Sequence, residues 1–173
     1  MGFDMHGIFQ AKHNSKWIDI DSNYDFARDY YLYSWLGMGG WISPISKARG
    51  LPSDFQKLAH QNLGEWGFSW LLGSEIIEAA PPSQEMRIWV PIDTYKTWDQ
   101  KSNPAIWHEL HSDWKNHEDA ELYAMPGSIN DETWRVIIDW KYDFTQDFSG
   151  FVSEVRRLMS FHGDVRFVFG FNA

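Results

Sequence analysis

The sequence contains no cysteine. That absence excludes a disulfide framework, a thiolate zinc site and a cysteine nucleophile, and it fits the reducing interior of a cell. The sequence also lacks an apolar run of the roughly 18 residues that a membrane helix needs, so we expect no span of a bilayer. The opening MGFDMHGIFQ has neither the basic start nor the long apolar stretch of a secretory signal, so the expected location is cytoplasmic.

Basic residues are scarce as well. The chain has 15 Lys and Arg against 24 Asp and Glu, which gives a formal net charge of −9. Because the phosphates of nucleic acids repel a net acidic chain, we expect no direct binding of DNA or RNA. The same charge leaves one alternative open, a protein inhibitor whose acidic surface covers the basic groove of a nuclease or effector.

Aromatic residues, by contrast, are abundant. They form 17% of the chain, and 11 of them are tryptophan. One aromatic ring buries about 150–250 Å², so most of these rings are expected to build the core. Tryptophan is also enriched in subunit contacts and in pockets that hold flat ligands. The composition therefore favours a ring-lined ligand pocket and a homodimer or higher homo-oligomer.

Apolar patterning predicts strands at both ends of the chain and helices between them. Alternation predicts a hairpin from strands at 2–9 and 16–20. In a strand over 87–92, Pro91 is expected at a sheet edge or at a strand end. Strands are also predicted at 133–144, which is rich in β-branched and aromatic residues, and at 164–171. Helical spacing predicts helices over 23–38, about 53–63, 69–79 and 104–121, and a last helix capped by Thr145. We therefore predict one α+β domain over residues 1–173. Its sheet is mixed or antiparallel, contains the N-terminal hairpin and the C-terminal strand, and carries several short helices.

One histidine pair resembles a metal motif without meeting its requirements. His108 and His111 are three residues apart, whereas a zincin motif needs two histidines four apart with a glutamate directly after the first. An exposed cluster of histidines is therefore the favoured interpretation. The glycine-rich phosphate loops G-x-x-x-x-G-K-[ST] and G-x-G-x-x-G do not occur. We expect no resident metal and no cofactor.

Four polar residues have settings that point to a site. Asp4 and His6 are two apart on a predicted strand, so both point to one face, where the carboxylate can orient the imidazole. The alternative for this pair is a purely structural hydrogen bond. Arg49 lies in a loop rich in Gly and Pro, and its planar fork suits phosphate or carboxylate as well as loop carbonyls. Arg166 lies in an apolar strand, where a charge must be paired or near an opening.

Five segments, in this order, carry a resemblance to a protein family. The chain has MGFDMH at 1–6, DYYLYSWLGM at 29–38, PISKARGLPSD at 44–54, FSWLL at 68–72 and DVRFVFGFN at 164–172. These segments resemble an uncharacterised family of small proteins encoded mainly by bacteriophages. Its members have an M-G-C-D-I-H opening, an aromatic N-Y-x-L-F helix, a P-I-x-x-P-R-G-L-P-x-D loop, an H-S-H-S-W-L-T segment and a V-R-I-V-F-W-F-D ending. The resemblance implies a phage accessory protein in the host cell cytosol, and residues 85–145 lie outside it.

The chain departs from the family pattern at three positions. Trp66 and Phe68 stand where the family has paired histidines, and Asn172 stands in place of the terminal aspartate. If the family uses those histidines to hold a metal, this chain lacks the two ligands and has aromatic side chains in their place. The departures therefore favour a binding pocket over a hydrolytic centre.

These observations lead to one hypothesis and two alternatives. We predict a phage accessory protein and host-defence antagonist that binds and sequesters a small anionic, nucleotide-type molecule, with rings against the base and arginines against phosphate. The predicted ligand-binding residues are Asp4, His6, Trp41, Arg49, Trp66, Phe68, Trp70 and Arg166. One alternative is a hydrolase, with or without a metal, that uses Asp4 and His6 and also His108 or His111. The other is the acidic inhibitor. The first hypothesis requires Asp4, His6, Arg49 and Arg166 to converge on one cavity.

Overall fold

The computed structural model describes residues 2–55, 62–110, 121–124 and 134–173. The strands are β1 (Asp4–His13), β2 (Lys16–Ile20), β3 (Trp66–Leu72), β4 (Ser83–Pro91), β5 (His108–Glu109), β6 (Glu121–Ala124), β7 (Trp134–Asp143) and β8 (Val165–Asn172). The helices are α1 (Tyr30–Tyr33), which continues into a π-helical turn at Ser34–Met38, and α2 (Gly73–Ala79), α3 (Ile92–Thr97) and α4 (Ser149–His162). No helix in these ranges has the length and apolarity needed to cross a membrane.

The chain forms two compact units, each with an antiparallel sheet. The first comprises Met1–Pro81 and Thr145–Ala173, and its sheet A has the strand order β2-β1-β8-β3. The second comprises Pro82–Phe144, and its sheet B has the order β5-β4-β7-β6. The predicted α+β class, with the N-terminal hairpin and the C-terminal strand in one antiparallel sheet, is confirmed. That residues 1–173 form one domain stays a prediction.

Sheet A places the first and last strands side by side at its centre. β1 pairs with β8 over eight residues, from Asp4 opposite Asn172 to Ala11 opposite Val165. On the other side of β1, the hairpin to β2 turns at Asn14 and Ser15, whose φ angles are 47° and 65°. Two successive positive φ angles are typical of the type I′ turn, whose twist matches that of paired strands.

The core of the first unit lies on one face of sheet A, which we call the core face. Its side chains come from the odd-numbered residues of β1 and β8, because successive side chains of a strand alternate between faces. α4 packs on this face, where the ring centroid of Phe151 lies 5.4 Å from that of Phe167 and 6.0 Å from that of Phe9. The fully or almost fully buried members are Met5, Phe9, Ala11, Leu71, Val165, Phe167, Phe169 and Phe171.

A buried carboxylate on α4 holds the segment that follows β2. Glu154 is only 7% exposed and accepts hydrogen bonds from the Ser22 hydroxyl and the Asn23 backbone N–H. It also accepts two hydrogen bonds of 2.8 Å from the Arg157 guanidinium. Chiefly through the bonds from Arg157, and despite burial, the pKa of the Glu154 carboxyl falls to about 2.

We expect Glu154→Gln to destabilise the fold and to flatten its acid sensitivity. Because the pKa of Glu154 is lower in the folded chain than in the unfolded chain, the ionised carboxylate stabilises the fold above about pH 4.5. This stabilisation is lost as the pH falls towards 2. The amide of glutamine does not titrate, and its hydrogen bonds with Arg157 are weaker because it carries no charge. We therefore expect the free energy of unfolding at pH 7 to fall by roughly 1–3 kcal/mol. Urea unfolding from pH 7 to pH 3 measures both effects. Glu78→Gln, at an exposed position of α2, is the control; an equal loss in both variants would contradict this role.

Sheet B of the second unit also buries one face. The even-numbered residues Ile88 and Val90 of β4 face Ile138 and Val136 of β7 in register, and all four are buried. Trp98 packs edge-on against Trp140 at 4.7 Å between ring centroids. β4 begins at Ser83, ahead of the predicted start at residue 87, and of the two predicted placements of Pro91 the structure has the strand end, because β4 lies inside sheet B.

Several local predictions were wrong for a tertiary reason. Residues 66–72 form β3 rather than the start of a helix over 69–79, because they pair with β8. The helix predicted over 23–38 is reduced to its last nine residues, Tyr30–Met38, and residues 104–110 contain β5 instead of a helix. The N-cap of α4 is Phe148 and not Thr145. The predicted helix over 53–63 and the rest of that over 104–121 lie mostly outside the described residues.

Candidate functional site

The second face of sheet A, which we call the polar face, carries a row of polar side chains. Residues opposite each other in register point to the same side of a sheet. Gln10 lies opposite Arg166, and Asp4 lies opposite Asn172, so these four side chains share the polar face with His6. Arg166 and Gln10 are almost completely buried there, at 4% and 6% exposed.

An apolar group, which we call the plug, covers the middle of the polar face. Its buried members are Phe55, Leu63 and Val168, and the partly buried Ile8, Leu51, Phe68 and Trp70 pack against them. The pair of Ile8 and Val168 lies between His6 and Arg166 along the strands. Four residues of strand separate the register positions of His6 and Arg166, a distance of about 13 Å. The plug therefore separates two cavities, one beside His6 and one beside Arg166.

The cavity beside His6 has a volume of about 400 Å³ and is lined by His6, Asn62, Gly64, Glu65 and Asn172. His6 Nε2 lies 3.0 Å from Asn172 Oδ1. Which of the two atoms donates depends on the tautomer of the ring and on the orientation of the amide. The cavity thus contains an imidazole held by an amide and, in its lining, the carboxylate of Glu65.

Asp4 is not the hydrogen-bond partner of His6. Its two carboxylate oxygens accept bonds of 2.7 and 2.9 Å from Nε and Nη2 of Arg28. These bonds, together with the charge of Arg28, lower the pKa of the Asp4 carboxyl. The predicted shared face of Asp4 and His6 is present, but the group that orients the imidazole is Asn172.

The cavity beside Arg166 has a volume of about 380 Å³ and is built on β1 and β2. Gln10 connects its two sides, because its Oε1 accepts from Arg166 Nε at 2.8 Å and its Nε2 donates to Asp19 at 2.7 Å. Arg166 Nη1 donates to Asp54 at 2.9 Å. The lining residues are Gln10, Lys16, Trp17, Ile18, Asp19, Asp54 and Phe55.

One nitrogen of Arg166 has no partner among the described residues. Nη2 is buried and makes no hydrogen bond. Around the planar guanidinium the nitrogens follow the order Nε, Nη2, Nη1, so Nη2 lies between the bonds to Gln10 and Asp54. Both of those residues line the cavity, whereas Arg166 itself lies behind them and is not among its lining residues. An unsatisfied buried donor costs about 1–3 kcal/mol, which an acceptor reaching Nη2 would recover.

Trp17 covers the guanidinium. The centre of its ring lies 4.6 Å from Arg166 Cζ, a cation–π distance, and Lys12 Nζ lies 5.9 Å from the same ring. Trp17 also lines a smaller cavity of about 170 Å³ with Lys12, Leu72, Ser74, Met159, Asp164 and Val165. Trp17 therefore covers one face of the guanidinium, whereas the N–H donors, including those of Nη2, lie in its plane.

Arg49 contacts one residue of β3 and one residue of α2. Its Nη1 and Nη2 donate to the two carboxylate oxygens of Glu75 at 2.9 and 2.7 Å, and its guanidinium stacks on Trp70 at 4.9 Å. The bonds from Arg49 lower the pKa of the Glu75 carboxyl. The Arg49 guanidinium, which the sequence assigns to a ligand phosphate, thus donates its hydrogen bonds to a carboxylate of the chain itself.

Two of the predicted stacking residues lie in an exposed aromatic group. Trp41 and Trp66 are 37% and 41% exposed, and both contact Phe3, at 6.4 and 5.5 Å between ring centroids. Tyr30 stacks on Trp41 at 5.3 Å. This group belongs to the lining of neither cavity, and Phe68 and Trp70 belong to the plug.

The structure does not bring Asp4, His6, Arg49 and Arg166 into one cavity. It places three of them on one face of sheet A, where His6 lines one cavity and the partners of Arg166 line the other. Sequence reasoning missed Gln10, Trp17 and Asp19. Strand alternation offered a signal for them, since Gln10 shares the period of Asp4 and His6. Asp54 had no such signal, because it is 112 residues from Arg166.

The described residues contain no group of three or more His, Asp or Glu side chains placed to hold a metal. His108 belongs to the second unit, where it stacks on Trp89 at 4.1 Å between ring centroids. His111 lies outside the described residues. The resemblance to phage-encoded proteins stays a prediction. Comparison with protein-family models, curated proteins and solved structures gives no match to this chain.

Proposed function

We propose that this protein binds and sequesters a nucleotide-type small molecule in the cavity beside Arg166. The observation that carries the proposal is the buried guanidinium, whose Nη2 has no partner among the described residues and is directed between two lining side chains. A charge buried this deeply is normally fully hydrogen-bonded. A hydrogen-bond acceptor of the ligand gives Nη2 of Arg166 the partner that it lacks.

The size and lining of the cavity support a ligand of this class. A volume of about 380 Å³ lies within the range of small-molecule sites, about 300–1,000 Å³. Trp17 provides an aromatic surface for a flat ring. Lys16 lies at the exposed side of the cavity, where its ammonium can meet a phosphate without losing its hydration.

The biological setting in the proposal comes from the motif resemblance alone. A phage accessory protein that removes a nucleotide signal from the host cell cytosol would act as a host-defence antagonist by stoichiometric binding, without turnover. A homodimer or higher homo-oligomer, expected from the aromatic content, belongs to the same proposal.

Isothermal titration calorimetry with purified protein and a panel of mononucleotides and cyclic nucleotides tests the proposal. We expect saturable heat with at least one member of the panel and unchanged ligand on recovery. Arg49→Ala is the matched control, because Arg49 is bound to Glu75 and lines neither described cavity, so this variant should bind like the original chain. The absence of heat with every ligand would end the proposal.

A hydrolase that uses His6 is the second candidate function. The observation that favours it is an imidazole, held by the Asn172 amide, that lines a cavity of about 400 Å³ together with Glu65. Histidine is the side chain that most often serves as general acid or base in catalysis. Turnover of cyclic nucleotides that His6→Ala removes would support this function. Quantitative recovery of intact nucleotide after prolonged incubation would exclude it for those substrates.

A further inference from the structure

We infer that two copies of this chain pair through β2, antiparallel and centred on Ile18, so that their two A sheets join into one. The inference rests on the homo-oligomer in the proposed function and names the surface that forms it. It needs no bound nucleotide, so its failure and the failure of nucleotide binding are separate results. It follows from the backbone hydrogen bonds, the side chains and the charges of β2.

β2 is an edge strand of sheet A, and none of the described strands pairs with its outer side. The hairpin determines which backbone groups of β2 point to that side. His13 and Lys16 flank the two-residue turn and form a hydrogen-bonded pair, and such pairs alternate along an antiparallel ladder. The N–H and C=O groups of Ile18 therefore point to β1, whereas those of Trp17 and Asp19 point outward.

A bond on the other side of β1 agrees with this alternation. Lys12 lies opposite Trp17, and its N–H donates to the Asp164 carbonyl at 3.0 Å, away from β2. Within the described part of the chain, no backbone hydrogen bond reaches the outward groups of Trp17 and Asp19. Unpaired edge groups of this kind are a template for a strand of another molecule.

The outward groups of one copy must meet those of the other, which allows three registers around a two-fold axis. With the axis at Ile18, Trp17 of each copy forms a hydrogen-bonded pair with Asp19 of the other, and all five residues of β2 are paired. With the axis at Asp19, two carboxylates lie directly opposite each other, which is destabilising. With the axis at Trp17, Asp19 faces Ser15, whose φ of 65° is not that of a strand.

The apolar side chains of β2 complement themselves when Ile18 lies on the axis. Ile18 is on the core face, opposite Ala11, and it is 50% exposed. It meets Ile18 of the second copy in a pair without mutual hydrogen bonds, with about 4.5–5.5 Å between Cβ atoms. Lys16 lies opposite Ile20 of the second copy, where its aliphatic stem can cover the isoleucine. The contact thus removes exposed apolar surface from water at its centre.

The polar face brings opposite charges together on both sides of the axis. Asp19 of one copy lies opposite Trp17 of the other, and Lys12 Nζ is 5.9 Å from the centre of that ring. The Arg166 guanidinium lies 4.6 Å from the same ring. Each copy therefore brings a carboxylate to a tryptophan flanked by two cations, an arrangement that stabilises neighbouring strands. This charge complementarity selects a second copy of the chain as the occupant of the edge.

The pairing also places the two ligand cavities near each other. β2 contributes Lys16, Trp17, Ile18 and Asp19 to the lining of the cavity beside Arg166. A two-fold axis perpendicular to the sheet keeps both polar faces on the same side. The two cavities therefore flank the axis, each beside a strand of the other copy.

Sedimentation velocity without ligand, from about 5 µM to about 500 µM protein, tests the inference. We expect the mass to rise from 20.3 kDa towards twice that value. The dissociation constant should be on the order of 10 µM, since one short strand pair is small for a specific interface. Ile18→Lys places two ammonium groups at the axis and should keep the chain monomeric. Ile106→Lys is the matched control, because Ile106 is similarly exposed, at 52%, and belongs to the second unit.

Cysteine trapping tests the register in a chain that has no cysteine of its own. Ile18→Cys places two thiols opposite each other at the axis, close to the Cβ separation of a disulfide. Mild oxidation should link most of this variant into a dimer on a non-reducing denaturing gel, whereas Ile106→Cys should remain monomeric. Amide exchange at Trp17 and Asp19 should slow as the protein concentration rises, whereas the Ile18 amide, already bonded to β1, should change little.

The outcomes separate this contact from other ways of forming a dimer. A monomer at every concentration overturns the inference. A dimer that survives Ile18→Lys places the contact on another surface, such as the exposed group of Trp41 and Trp66, and overturns the role of β2. Equal cross-linking in Ile18→Cys and Ile106→Cys overturns the register. Urea midpoints check that each variant folds, and Ile18→Cys tests the contact independently if Ile18→Lys does not fold.

Discussion

Arg166→Gln is expected to weaken nucleotide binding about 100-fold, the largest effect on function that we predict. The substitution removes the spare donor at Nη2 and the positive charge under Trp17. Hydrogen bonds to charged groups contribute about 1.5–3 kcal/mol, which corresponds to roughly 10- to 100-fold in the dissociation constant. Calorimetry with the tightest ligand of the panel measures the loss.

Arg166→Lys separates the donor from the charge. Lysine keeps the positive charge and can still reach Gln10 or Asp54, but it lacks the planar fork that directs a third nitrogen between them. We therefore expect a lysine variant that folds and binds nearly as weakly as the glutamine variant. Wild-type affinity in Arg166→Lys would show that charge alone is sufficient. Far-ultraviolet circular dichroism and urea midpoints establish that both variants fold.

Gly64→Ala is expected to destabilise the first unit by at least about 3 kcal/mol, the largest effect on stability that we predict. Gly64 has a φ of 84°, and a Cβ there would overlap the Phe171 carbonyl oxygen and lie 2.5 Å from its carbon. Both contacts are with backbone, which has no rotamer to change. The next residue, Glu65, donates its N–H to that same oxygen at 2.7 Å, so the attachment of this segment to β8 is lost together with the steric fit.

Gly50→Ala is the matched control for Gly64→Ala. Gly50 has a similar φ of 73°, but a Cβ there would meet nothing within 4 Å. Its substitution therefore measures the cost of the left-handed backbone alone, about 1–2 kcal/mol. Urea unfolding of both variants gives the difference, which we assign to the overlap with β8. Equal losses in the two variants would show that the contact with Phe171 can relax.

Sequence reasoning predicted the parts of the fold that have clear periods. Loose alternation around Met5 and Phe9 predicted β1, and the high content of β-branched and aromatic residues predicted β7. The sequence around Trp70 predicts a helix over 69–79, but a short apolar run does not distinguish a helix from a strand by its period. Its structure is decided by pairing with β8, a partner almost 100 residues away, which no local pattern encodes.

The candidate site was predicted less completely than the fold. The sequence identified Arg166 as a charge that needs a partner, and the structure provides that partner in Gln10 and Asp54. It also assigned Arg49 to the ligand, because the composition of a loop does not show that Glu75 lies opposite. Residue types indicate which side chains are able to bind a ligand. The three-dimensional arrangement decides which of these side chains already have a partner within the chain.

The neighbouring positions of β1 and β8 also determine when sheet A can form during synthesis. His6 and Asn172, which bond across these strands, are 166 residues apart, so the central ladder cannot close until the residues up to Asn172 have left the ribosome. Until then the hairpin exposes Met5 and Phe9 to water, without the phenylalanines of β8 that cover them later. Pairing over such a long separation is slow. The nascent chain therefore passes through a period in which β1 and β3 have been synthesised but their shared partner, β8, has not.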